Sequence, residues 1–244
     1  MNLNHPKKFV SLCFERGLRY DSEGIKNFVD YDDIRCVTPF EPLESAIEYN
    51  NLETLKILLK HGIIRDKHSG KSALIIAASQ ENFYIAKYLI NQGFNVNACD
   101  KDGKTALIWA AGRVDLNITR ELVRAGANIN FQDDDGNTAL MTNGYTPLMY
   151  AAIFNTPETV KFLIDNGADV NYLYDGESTL LMIAACECCY DDQGQIAAEL
   201  IKSGADINFT RHDGEKALTL AYKAKNFGTV RVLLAAGADI SEIL

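Results

Sequence analysis

Asp100-Lys-Asp-Gly-Lys-Thr-Ala-Leu-Ile-Trp-Ala-Ala111, completed by Leu122-Val-Arg-Ala-Gly126-Ala-Asn-Ile-Asn130, decides the fold. Asp-x-Asp-Gly is a tight-turn sequence, because aspartate side chains accept hydrogen bonds from the backbone just ahead of them and glycine enters left-handed conformations freely. Thr105 then stands where a hydroxyl can accept an orphan N–H at the start of a helix. The apolar run 106–111 is that helix, and a second apolar run closes at Gly126, the residue type that ends helices. The stretch therefore reads as turn, helix, helix, stop.

Working outward, the same pattern returns at Gly70-Lys-Ser-Ala-Leu-Ile-Ile-Ala-Ala78, Gly144-Tyr-Thr-Pro-Leu-Met-Tyr-Ala-Ala152, Thr179-Leu-Leu-Met-Ile-Ala-Ala185 and Gly214-Glu-Lys-Ala-Leu-Thr-Leu-Ala221. Leu74 and Leu107 are 33 residues apart, as are Leu148 and Leu181, while the intervals Leu107 to Leu148 (41) and Leu181 to Leu218 (37) carry insertions. Thr146 and Thr179 repeat the cap, and Pro147 takes the first helical position, where a missing N–H costs least. Paired alanines let neighbouring helices approach closely. Glycine stops recur at Gly62, Gly93, Gly126, Gly167, Gly204 and Gly237. One such unit cannot bury its own apolar faces, so units must stack in a row, each touching only its neighbours. The expected architecture is an all-α solenoid whose helix-turn-helix units are joined by extended turns.

These residues resemble the ankyrin repeat. The resemblance covers residues 38–244 as six units, at about 38–66, 67–99, 100–132, 133–172, 173–210 and 211–244. The first is degenerate, with Pro42-Leu43-Glu-Ser-Ala46 as its core. The histidine usual in the family's first helix is replaced by Glu44, Ile75, Ile108, Met149, Met182 and Thr219. Residues 1–37 carry two short apolar patterns, Phe9-Val-x-Leu-Cys-Phe14 and Ile25-x-x-Phe-Val29, and are expected to form an N-terminal helical cap over the first unit, as solenoids require for solubility.

Composition narrows the function. The 244 residues are 47% hydrophobic and 23% charged, with a formal net charge of −9 that argues against a chain whose affinity comes from neutralising phosphates. No apolar run approaches the roughly 20 residues that span a bilayer, and no signal-peptide core follows the start, so a soluble cytoplasmic protein is expected, or one delivered into a host cell if the source is a pathogen. Six unevenly placed cysteines fit reduced thiols rather than a disulfide ladder. Cys186-x-Cys188-Cys189 followed by Asp191 and Asp192 invites a zinc or redox reading, but a second ligand pair at matching spacing is missing, so neither metal nor cofactor is expected. The phosphate loop, dinucleotide fingerprint, His-Glu helix motif and calcium loop are absent as well. No catalytic residues are assigned.

Charge is concentrated. Residues 67–130 hold 8 basic and 5 acidic side chains, whereas residues 131–208 hold 2 and 13. Such a field selects partners by sign. The resemblance implies a concave groove made by hairpin tips and first helices, and it places candidate contacts by matching position. These are Lys101, Asp102 and Lys104 at one tip, Asp133, Asp134, Asp135 and Asn137 at the next, Asp175 and Glu177 beyond, and Gly112, Arg113, Ile153, Phe154, Cys186 and Glu187 on first helices. Trp109 and its counterpart Tyr150 suit either packing between units or anchoring a partner. The insertions at 138–145 and 188–195 lengthen a tip and a helix-helix turn. The function expected is non-enzymatic scaffold-type binding of another protein, with a basic surface, by a monomer. A regulatory or targeting subunit, a host-directed effector, and a minor catalytic or metal role for the cysteine cluster are the alternatives.

Elemental analysis of protein purified without chelator checks the cysteine reading. Zinc well below one atom per chain is expected; stoichiometric zinc, lost on substitution of Cys186, Cys188 and Cys189, would establish a metal site instead.

Overall fold

A computed structural model of the chain describes residues 41–60, 72–132, 145–154, 156–174, 176–187 and 194–243. The N-terminal cap expected at 1–37, the acidic tip 133–135 with Asn137, Asp175, Cys188, Cys189 and most of both insertions lie outside them. Among the described residues twelve α-helices follow in six pairs: α1 (Glu41–Glu48) with α2 (Leu52–Lys60), α3 (Ala73–Ser79) with α4 (Phe83–Asn91), α5 (Ala106–Ala111) with α6 (Leu116–Arg124), α7 (Pro147–Ile153) with α8 (Pro157–Asp165), α9 (Leu180–Glu187) with α10 (Gln195–Lys202), and α11 (Ala217–Lys223) with α12 (Phe227–Ala235). A short 3-10 turn, Ile240–Glu242, follows.

Each first helix packs on its own partner and on the first helix of the adjoining pairs, and the second helices form a parallel outer row in the same way. The stack is thus a two-row solenoid. Its seam is built from small residues: Ala77, Ala78, Ala110, Ala111, Ala151, Ala152, Ala184 and Ala185 are all buried, with Leu74, Leu107, Leu148, Leu181 and Leu218 beside them. Alanine removes the bulk that would hold the inner row apart, and the leucine beside it fills the gap to the outer row.

Local chemistry sets the helix ends. The hydroxyls of Thr105, Thr146 and Thr179 accept the N–H of Ile108, Met149 and Met182, each at 3.3 Å, and Ser72 does the same for Leu74 at 3.3 Å. The sixth pair is built differently. Lys216 occupies the cap position and has no acceptor, so Thr219 supplies one by accepting the Lys216 N–H at 2.9 Å. Thr219 holds one of the positions of the missing histidine and Glu44, half-buried, another; at the remaining four Ile75, Ile108, Met149 and Met182 are buried in the core. At the second-helix ends Gly126 has φ +86°, and the Ala127 N–H reaches back to the Leu122 carbonyl at 3.0 Å, satisfying a carbonyl the helix leaves open. Gly194, entering α10 at φ +68°, lies against the outer helix of the next pair: a Cβ there would stand 2.7 Å from the Gly228 carbonyl oxygen.

Polar rungs then tie unit to unit along both edges. Asn97, Asn130 and Asn171 each donate from Nδ2 to the carbonyl of Gly126, Gly167 and Gly204, at 3.4, 3.2 and 3.0 Å. Each accepts in return from the N–H of Asn128, Asp169 and Asp206, at 2.7, 3.0 and 3.0 Å. On the opposite edge Asn82 donates to the Ile47 carbonyl at 2.6 Å and Thr156 to the Ala111 carbonyl at 3.2 Å. Two hydrogen bonds per asparagine fix the spacing of neighbouring units without any change in helix sequence.

Asn130→Ala removes both bonds of the middle rung. Because the rung is solvent-exposed, water replaces part of the loss, and a cost of about 1–2 kcal/mol is expected from a net worth of about 1 kcal/mol per hydrogen bond. Thermal and urea unfolding check this; an unchanged midpoint would show that apolar stacking alone sets the spacing.

Candidate protein-binding face

The inner row and the hairpins that precede it form one face, and its centre lies on units three to five, counted from α1. Asp100 organises unit three. Its Oδ1 accepts the N–H groups of Asp102 and Lys104 at 3.0 and 2.9 Å, closing the turn, and its Oδ2 accepts the Trp109 indole N–H at 2.9 Å. The carboxylate is buried, so three donors replace the water it has lost. A backbone bridge between Cys99 and Thr105 completes this hairpin, and in unit five the pairing lengthens to two short strands, β1 (Leu173–Tyr174) and β2 (Ser178–Thr179).

Trp109 is held with its indole edge against the hairpin, half-buried, and the Lys104 ammonium lies 5.8 Å from its ring centre. The same ammonium lies 5.2 Å from the Tyr150 ring, so one lysine spans the aromatic residues of two units. Tyr150 continues the row in two directions. Phe154 stacks on it with ring centres 6.0 Å apart and planes 11° from parallel, while Tyr145 meets it edge-on at 5.7 Å. Tyr145 in turn stacks on Tyr174 of unit five at 4.5 Å. The result is a strip of aromatic rings running across three units.

Phe154 is the exposed member, at 57%. Its ring reaches back over Gly112 of unit three, where an added Cβ would stand 3.0 Å from ring carbon Cδ2. Gly112 has φ −81°, a conformation open to any residue, so here glycine serves space rather than backbone freedom. Gly112 is the notch in which the ring sits.

The remaining sequence candidates fall around this strip. Lys101 and Asp102 are exposed at the unit-three tip, and Arg113, Ile153 and Cys186 are half-buried at the ends of first helices. Glu187 is the last residue of α9. Glu177, at the unit-five tip, lies 2.8 Å from His212 Nδ1 of the following tip. In that sixth tip Lys223 and then Thr219 hold the Glu215 carboxyl below the usual carboxylate range, and the Glu215 N–H does the same for Asp213. Asp133, Asp134, Asp135, Asn137 and Asp175 are outside the described residues. Sequence reasoning missed Tyr145 and Tyr174, which join Tyr150 to unit five. The available signal was that Tyr145 immediately follows the tip glycine, as Lys104 does.

Charge pairing separates the two faces. The only basic residues within 131–208 are Lys161 and Lys202, both on outer helices. Lys161 lies 3.4 Å from Glu199 and 3.5 Å from Asp165, and Lys202 lies 3.9 Å from Glu199. Both positive charges of the acidic segment are therefore engaged on the outer row, whereas Glu177 at the unit-five tip faces His212 of the following tip.

A sequence profile of the family described as ankyrin repeats, three copies, matches residues 19–100, 85–173 and 115–210. The chain belongs to the ankyrin-repeat family. Ankyrin repeats are in general non-enzymatic modules for binding other proteins, and the helix pairs, seam alanines and hairpins described above are those of an ankyrin stack. The profile begins at residue 19, ahead of the unit at α1. A 58-residue stretch is 41% identical to Potassium channel AKT1 of Arabidopsis thaliana, covering 23% of this chain and 7% of that protein. Among the described residues no helix is long and apolar enough to cross a membrane, and no group of three or more His, Cys, Asp or Glu could hold a metal ion.

Trp109→Phe keeps the ring packing and leaves Asp100 Oδ2 without its donor. A loss of about 1–3 kcal/mol is expected for an unpaired buried charged acceptor, and in the Asp100→Asn background the same change should cost less. A double-mutant cycle by urea unfolding measures the difference; equal costs in both backgrounds would show that the indole bond does not orient Trp109.

Proposed function

We propose that this chain is a non-enzymatic binding module that takes a partner protein on the inner face of units three to five, and that the partner presents a basic surface to units four and five. The observation that carries the reading is Phe154. A phenylalanine exposed at 57%, stacked on Tyr150 and seated over Gly112, is a rigid apolar group facing solvent. Aromatic anchors of this kind concentrate binding energy because they bury much area and lose little side-chain freedom. The charge argument adds sign: 13 acidic and 2 basic side chains in residues 131–208, with both bases drawn to the outer row, favour a positive partner.

A second reading is a regulatory or targeting part of a larger assembly. Likeness to a stretch that makes up 7% of a potassium channel favours it, since a comparable stretch there is a small part of a much longer chain. Both readings use the same face.

Two variants test the proposal against a partner captured by the intact chain. Phe154→Ala should weaken affinity at least tenfold, on the order of 1.4 kcal/mol or more, mainly through faster dissociation. Asp133, Asp134 and Asp135 changed together to lysine should slow association several-fold at low salt and less at high salt, because the Debye length is about 8 Å at physiological ionic strength. Binding kinetics unaffected by either variant would move the binding surface away from this face.

A further inference from the structure

Two lines of residues run from unit three to unit five in the same chemical order. The first follows the tip glycines: Lys104 comes after Gly103, Tyr145 after Gly144 and Glu177 after Gly176. The second follows the ends of the first helices. Arg113, Phe154 and Glu187 each stand six residues beyond the core leucine of their unit, Leu107, Leu148 and Leu181. Each line therefore reads basic, aromatic, acidic across units three, four and five. The aromatic members are joined through Tyr150, which touches Tyr145 on one side and Phe154 on the other.

The two lines differ in construction. At the tips, Lys104 is steered over Trp109 and Tyr150, and Glu177 is paired with His212, so both charges are held in place. At the helix ends the Phe154 ring is fixed by the Gly112 notch. Asp102 is the one acid exposed at the unit-three tip, and Lys101 stands beside it. Hairpin tip and helix end thus place Lys104 and Arg113 on one side of a single apolar centre, and the next tip places Glu177 on the other.

We propose that this face takes a bipolar segment of its partner protein: an apolar anchor residue on Tyr150 and Phe154, an acidic residue directed to Lys104 and Arg113, and a basic residue directed to the unit-five tip at Glu177. The inference rests on the binding reading above and deepens it. A uniformly basic segment would match units four and five and be repelled at unit three, whereas a bipolar one is matched at both ends. Complementarity of this kind fixes direction, because reversing the segment sets like charges against each other at both ends.

Selection of a random peptide library displayed on phage against the intact chain, followed by sequencing, tests the arrangement. Enriched peptides should carry an apolar residue with an acid on one side and a base on the other, and enrichment should be lost on Phe154→Ala and on Tyr150→Ala. Repeating the selection on Lys104→Glu with Arg113→Glu should replace the acidic flank by a basic one, and a peptide selected on the natural chain should lose on the order of tenfold in affinity for this variant. Arg113→Glu alone, should the double variant fold poorly, is expected to move the flank preference the same way by a smaller amount. Peptides basic on both sides, whose enrichment still depends on Phe154, would overturn the bipolar proposal and leave the binding face in place. Enrichment indifferent to Phe154 and Tyr150, or none at all, would overturn both.

Discussion

Helices of six to nine residues do not hold together alone in water, where roughly 12–15 residues are needed for even marginal stability. Everything in this protein depends on the contact that replaces the missing length: first helix against first helix along the inner row, where the paired alanines are buried. That seam lets first helices come close enough for the leucines beside them to bury fully. Each helix then borrows its stability from the units on either side, so the stack folds as a row of mutually dependent pieces rather than around one centre.

Close packing of the inner row has a second consequence. Side chains that point away from the seam are pushed onto one face, where they meet their counterparts from the next unit. Trp109, Tyr150 and Phe154 come together for this reason, although Tyr150 lies 41 residues beyond Trp109 in the chain. The hairpins add Tyr145 and Tyr174 at the same level. An aromatic strip is thus a by-product of unit spacing, and the asparagine rungs that hold the spacing also hold the strip.

The outer row answers a different demand. Its cross-unit ion pairs, Lys87 with Glu121 at 3.5 Å and Lys161 with Glu199 at 3.4 Å, lie on exposed surface and add little stability individually. They also engage Lys161, which with Lys202 is one of the two lysines of residues 131–208, both on outer helices.

Much of the fold is legible in the sequence because its determinants are local. Thr105, Thr146 and Thr179 cap helices that begin one residue later, Gly126 stops the helix it follows, and the interval of 33 between core leucines states the stacking period. Lys216 breaks the cap pattern, and the substitute, Thr219, lies three residues away and is visible only once the helix has formed. The binding face is less legible. Phe154, Gly112 and Arg113 can be named from their positions, but whether Phe154 stands out or packs in depends on a notch 42 residues earlier in the chain. Trp109 could equally have been buried, until the Asp100 carboxylate draws its indole edge to the hairpin. The sequence by itself determined the unit, its period, its caps and its charge distribution, because each follows from residues within one or two turns of one another. Only the tertiary structure decided which aromatics touch and which lysines pair across units on the outer row, because these depend on contacts between units that no local pattern encodes.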